Sequence, residues 1–134
     1  MSTEANKALV RRYVETVWNQ GDASVIDELV APDYIQHAQG VPQGSVGVKQ
    51  FSLALRVAFP DIHNTIEDMI AEGDKVVWRS TIRGTHTGPF RGIPPTGKTI
   101  QLKFAEVFEM RDGKIKTMRA YWDTATLMRQ LGLL

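Results

Sequence analysis

Ile62-His63-Asn64-Thr65-Ile66-Glu67-Asp68-Met69-Ile70-Ala71-Glu72-Gly73-Asp74 is the stretch in which the chain changes its period. Upstream, apolar residues recur every three or four positions. From Ile62 the period is two, with Ile62, Ile66 and Ile70 assigned to one side and Glu67 to the other, which predicts a half-buried strand to about Glu72. Gly73-Asp74 makes the turn. A second strand follows over residues 75–86 and a third over 98–110, and Arg111-Asp112-Gly113-Lys114 forms a hairpin into a fourth at 115–122. A short helix over 124–131 closes the chain. Between His86 and Lys98 the run Thr-Gly-Pro-Phe-Arg-Gly-Ile-Pro-Pro-Thr-Gly is too rich in Gly and Pro for regular structure and long for a hairpin connection, so it reads as a rim or flap.

Working back from Ile62, the elements are helical. Thr3 is placed to cap a first helix whose buried stripe is Leu9, Val10, Tyr13, Val14, Val17 and Trp18, ending at Asn19-Gln20-Gly21. Asp22 caps a second, short helix carrying Val25, Ile26, Leu29 and Val30, and Pro32 marks its end. Residues 34–38 read as a brief strand. After a Gly/Pro-marked loop, a third helix runs from about Val46 to Phe59, with Phe51, Leu55 and Phe59 at four-residue spacing, and Pro60 closes it. Helices grouped before antiparallel strands predict an α+β fold, a curved antiparallel sheet packed against about three N-terminal helices. So few helices leave part of a long sheet uncovered, which makes room for a pocket.

Composition narrows the function. The chain has 134 residues, 43% apolar and 23% charged, with no cysteine, which describes one soluble domain spanning residues 1–134. Thiol nucleophiles, disulfides and thiolate zinc sites are excluded together. Sixteen basic against fifteen acidic residues, spread along the chain, leave no footprint for nucleic acid. No apolar run exceeds three residues and Met1–Lys7 has no secretory h-region, so no membrane partner and a cytoplasmic location are expected. His37, His63 and His86 lack metal-ligand spacing, so no metal is expected. Nucleophile-elbow, phosphate-loop and dinucleotide fingerprints are absent from the sequence.

Asn19-Gln20-Gly21-Asp22, Ala31-Pro32-Asp33-Tyr34 with His37, Phe59-Pro60-Asp61, Gly84-Thr85-His86-Thr87-Gly88, Pro95-Thr96-Gly97, and Asp112-Gly113-Lys114-Ile115 through Tyr121-Trp122-Asp123 together resemble the SnoaL-like polyketide cyclase family. The resemblance covers nearly the whole chain and lies in the order and spacing of these segments rather than in any one of them. It implies the cone-shaped α+β barrel of the nuclear transport factor 2 and ketosteroid isomerase superfamily, often a homodimer or higher homo-oligomer. It also implies an intramolecular aldol closure, or a related isomerisation, of a small hydrophobic carbonyl compound, with no cofactor and no metal.

By that resemblance Asp123 matches the acid/base near the end of the last strand. A carboxylate facing an apolar cavity has its pKa moved toward neutral. Seen without the resemblance, Asp123 is equally well placed to cap the last helix. Glu106 interrupts the apolar series Leu102, Phe104, Phe108, Met110 and matches an oxyanion-stabilising acid, with a cross-strand pair to Arg119 or Lys103 as the plainer alternative. His37 is the third catalytic candidate, and Tyr13, Trp18, Tyr34, Phe51, Phe59, His86, Phe104 and Trp122 are candidate substrate-binding residues. His86 has a second role open to it, holding the path of its glycine-flanked loop. Where ketosteroid isomerase carries its proton-shuttling Asp, this chain has Gln36-His37-Ala38, which argues against steroid isomerisation by that route. An epoxide-hydrolase set assembles only loosely, from Arg79, Glu106 and Asp123. A non-catalytic ligand-binding or dimerisation module on the same fold is the alternative from another class.

Overall fold

The computed structural model describes residues 2–37 and 42–134. Helix α1 spans Thr3–Arg12. Its cap is Ser2, not Thr3: Ser2 keeps extended dihedrals and its hydroxyl accepts from the Ala5 N–H at 3.1 Å, while Thr3 is already helical. The helix then widens into a π-helical segment, Tyr13–Asn19, whose last turn closes with the Gln20 N–H on the Glu15 carbonyl. Widened turns of this kind re-aim side chains. Asn19 pins the end, exchanging bonds with the Asn64 backbone at 2.7 and 3.0 Å. Arg56 satisfies the carbonyls of Trp18 and Asn19, supplying donors and positive charge where a helix end lacks both.

Asp22 caps a short turn at Ala23–Val25, accepting from the Ser24 N–H at 3.0 Å, and α2 (Ile26–Leu29) follows. Strand β1 (Val30–Gln36) begins four residues earlier than the sequence predicts. It holds Pro32 because it is an edge strand, where a missing N–H removes no ladder bond, and its register shifts between Val30 and Ile35. Ala38, the last residue expected in this strand, and the first part of the Gly/Pro-marked loop lie outside the described residues. Helix α3 spans Gly44–Ala58, and then come β2 (His63–Glu72), β3 (Lys75–Thr85), β4 (Thr99–Arg111), β5 (Lys114–Trp122) and α4 (Thr124–Gln130).

The five strands form one sheet in the order β1-β5-β4-β3-β2. It is mixed rather than wholly antiparallel, since β1 pairs with β5 in parallel. No hairpin joins those two strands, so turn geometry does not set their direction. A second correction falls in β2. Ile66 pairs with Ser80 and Asp68 with Arg79, so Glu67 is an extra residue, and the bulge reverses which side chains face inward. Met69 and Ala71 therefore pack on the core while Ile70 is 66% exposed.

The inner face of the sheet carries two separate apolar clusters. One joins Val10, Tyr13, Val14 and Val17 to Val76, Trp78, Phe108 and Met118. The other joins Phe59, Phe90, Leu127 and Leu131 to Ile100 and Leu102. Among the described residues, no helix is long and apolar enough to cross a membrane.

Candidate active site

Strand register decides what lies between the two clusters. Alternation along β4 turns Ile100, Leu102, Phe104, Glu106, Phe108 and Met110 toward the helices. Glu106 stands opposite Trp78 on β3 and Ala120 on β5, and Phe104 stands opposite Ser80 and Trp122. Phe108 and Leu102, on either side of this row, are sealed in the clusters, but Phe104 and Glu106 are only partly buried. So are Trp18, Phe51 and Leu55 on the helices and Ile66 and Ile82 on the sheet. Trp122 at the end of β5 is 46% exposed.

Glu106 is the one carboxyl in this row. Its Oε1 accepts from the Trp78 indole N–H at 3.0 Å. Burial pushes its carboxyl up to about 7, against the opposing effect of the Trp78 bond, which favours the charged form. Tyr13 and Tyr34 are buried beside it. Desolvation, with the nearby Glu106 charge adding to it, raises the Tyr13 hydroxyl, which a hydrogen bond from Trp18 opposes. Tyr34 is raised by burial first and then by Tyr13 and Glu106. Both phenols therefore stay neutral donors across the physiological range. The π-helical segment brings Tyr13 and Trp18 edge to face at 6.0 Å, and Trp18 meets Phe51 at 5.9 Å. Tyr13, Trp18 and Phe51 thus form one chain of ring contacts, and Trp78 joins Glu106 to Phe104 in a second.

Asp123 stands apart from them electrostatically. It caps α4, its carboxylate accepting from the Thr126 N–H at 3.2 Å and the Thr126 hydroxyl at 2.8 Å. Those bonds hold its carboxyl below the usual carboxylate range, and the side chain is exposed. The expected upward shift from an apolar cavity is therefore not found, because the carboxylate faces donors rather than hydrocarbon.

His37 is also exposed; its described partner is a backbone one, its N–H donating to the Met118 carbonyl. His86 takes the structural role that the sequence left open. It is fully buried, stacked on Phe59 at 5.2 Å, and its Nδ1 lies 3.0 Å from the Thr96 hydroxyl and accepts from the Thr96 N–H. It thus ties the two ends of the 87–97 loop together. Gly88 lets that loop press on the end of α3, where a Cβ would sit 2.1 Å from the Val57 carbonyl oxygen. Phe59 and Tyr34 are core residues, 1% and 2% exposed. Arg79 points away from Glu106, into an ion pair with Asp68 at 2.7 Å, so the epoxide-hydrolase set does not assemble. Glu106 likewise pairs with neither Arg119 nor Lys103.

Two surface grooves, of about 540 and 460 Å³, lie along α1 and between the turns at Gly73 and Gly113, and neither touches Glu106 or Asp123. No group of three His, Cys, Asp or Glu suited to a metal occurs among the described residues. Trp78 is legible in the sequence as one of the aromatics able to line a cavity, but its bond to Glu106 is not. A long irregular loop joins β3 to β4, so no turn rule sets the register that brings Trp78 to Glu106.

Comparison with known proteins places this geometry. The family model for SnoaL-like polyketide cyclase matches residues 8–131. The nogalonic acid methyl ester cyclase of Streptomyces nogalater is 29% identical over 121 residues, covering 87% of this chain and 90% of the relative. Among solved structures, TsrD from Streptomyces laurentii superposes with a TM-score of 0.92 at 28% identity, covering 100% of this chain and 99% of TsrD. IdmH from Streptomyces antibioticus superposes at 0.80 with 31% identity, covering 95% and 98% of the two chains.

Proposed function

The chain belongs to the SnoaL-like polyketide cyclase family, and on that premise we propose that it closes a ring in a hydrophobic carbonyl compound by cofactor-free acid/base chemistry. The substrate lies on the partly buried row between the two apolar clusters, bounded by Trp18, Phe51, Phe104 and Trp122. In an intramolecular aldol closure a proton leaves a carbon activated by carbonyl groups, the enolate carbon attacks a second carbonyl of the same molecule, and the new alkoxide takes up a proton. Electrons and protons balance within the substrate, so the reaction needs only groups that move protons and stabilise the enolate oxygen.

The observation that carries this reading is Glu106, a carboxyl displaced to about 7 by burial among apolar side chains. Near neutral pH about half of it is protonated, and that neutral form donates a hydrogen bond to the developing oxyanion, which an ionised carboxylate would repel. Asp123, ionised there and one residue beyond Trp122, is assigned as the proton acceptor on its match to the family's acidic position rather than on its electrostatics, since the bonds from Thr126 make it a weaker base.

The test uses nogalonic acid methyl ester, the compound that names the Streptomyces nogalater relative. Turnover is expected to fall by about a hundredfold or more in both Glu106→Gln and Asp123→Asn, with folding and binding retained. Unchanged turnover in both variants overturns the assignment. Tight binding without product in the unaltered protein favours the non-catalytic module.

A further inference from the structure

Trp78 and Glu106 are directly paired across β3 and β4, both facing inward. The indole is 2% exposed and held edge-on to Phe104, with ring centroids 5.4 Å apart at 83°. It therefore has little freedom to follow the carboxyl if the carboxyl turns. An indole N–H donates only, so the oxygen it meets must be an acceptor whatever the state of Glu106. In the neutral acid that oxygen is the carbonyl-type Oε1, and the proton resides on Oε2. Among the described residues no hydrogen bond reaches Oε2. Among the described residues the fully sealed side-chain atoms left without a partner are Asn6 Oδ1 and His86 Nε2; Oε2 is not one of them and so is not completely closed in.

We propose that Trp78 is a positioning residue, whose indole N–H holds Oε1 and thereby aims the Oε2–H of Glu106 into the space that receives the substrate oxygen. This rests on Glu106 being the oxyanion donor. The titratable groups that face it are Tyr13 from the π-helical segment and Tyr34 from β1, both neutral phenols, so no competing anion draws the indole N–H away.

Trp78→Phe keeps an aromatic plate and removes the donor. Two readouts apply. In the ligand-free protein, the midpoint of the Glu106 carboxyl followed by ¹³C NMR is expected to rise by about half a unit to one unit, because a donor that favoured the ionised form has gone. With nogalonic acid methyl ester, kcat is expected to fall about tenfold with KM nearly unchanged, and the substitution is expected to add nothing in a Glu106→Gln background. A merely structural indole would lower the melting temperature, leave the midpoint where it was, and cost the same in both backgrounds, and that result overturns the proposal. If Trp78→Phe does not fold, replacing Trp78 by its benzothienyl analogue, with sulfur in place of N–H, carries the same test. The titration requires no turnover, so the two claims fail separately: a shifted midpoint with full activity in Glu106→Gln upholds the contact and overturns the catalytic reading of Glu106.

Discussion

At the scale of single residues, Glu106 makes folding depend on pH in a defined direction. Its ordinary value is 4.5 and in the fold it lies at about 7. Between those values the folded chain keeps a proton that the unfolded chain has released. The Glu106 contribution is therefore full below about pH 4.5 and is lost as pH rises through 7. Glu106→Gln keeps the acceptor for Trp78 and removes the charge. The variant is expected to gain stability over the unaltered protein as pH rises from 4.5 to 8, by at most roughly 3 kcal/mol. Thermal unfolding across that range is the measurement, and a constant offset would show that Glu106 is not desolvated. That Glu106 shares a strand face with an apolar series of period two was legible in sequence, but which way that face turns was not, and packing of Leu102, Phe108 and Met110 in the two clusters decided it. Nor was its partner legible, since Trp78 reaches it only through a register that the 87–97 loop leaves unspecified. Asp123 was legible as a cap, from the Asp and Thr three residues apart, and its bonds to Thr126 make it the more acidic of the two carboxyls.

At the scale of elements, the first helix shows what periodicity misses. Its apolar stripe gave the right buried face, but nothing in a three/four spacing announces that the turns widen at Tyr13. The widened segment is held by partners far along the chain, Asn64 on β2 and Arg56 on α3. Asn19→Ala removes both bonds to the Asn64 backbone and leaves part-buried groups unpaired, so a loss of about 2 kcal/mol in urea unfolding is expected. A loss below about 0.5 kcal/mol would mean that the segment is held by its apolar contacts alone. The bulge at Glu67 is the same kind of event in a strand. The alternation of isoleucines was read straight through it, and one extra residue sent Ile70 to the surface.

For the whole molecule, the consequence is a sheet whose inner face is packed at both ends and looser between. Phe108→Ala, within the sealed cluster, is expected to cost about 3–5 kcal/mol, whereas Phe104→Ala, on the partly accessible row, is expected to cost less than about 2 kcal/mol. Equal losses in urea unfolding would mean that the row is as tightly filled as the clusters and has no room for a substrate.

Local physics determined much of this protein from its sequence. Apolar spacing gave the helices and strands, Pro60 and Gly73 gave their ends, and the order of elements gave helices laid against a sheet, because each of these depends on neighbours a few residues away. Tertiary structure alone decided that β1 runs parallel to β5, that Trp78 meets Glu106, and that His37 sits exposed just past the end of β1. Those outcomes depend on contacts between segments separated by tens of residues, where no turn or period carries the register. The acidity of Glu106 belongs with them, since desolvation is set by everything that surrounds a carboxyl and not by the residues beside it in the chain.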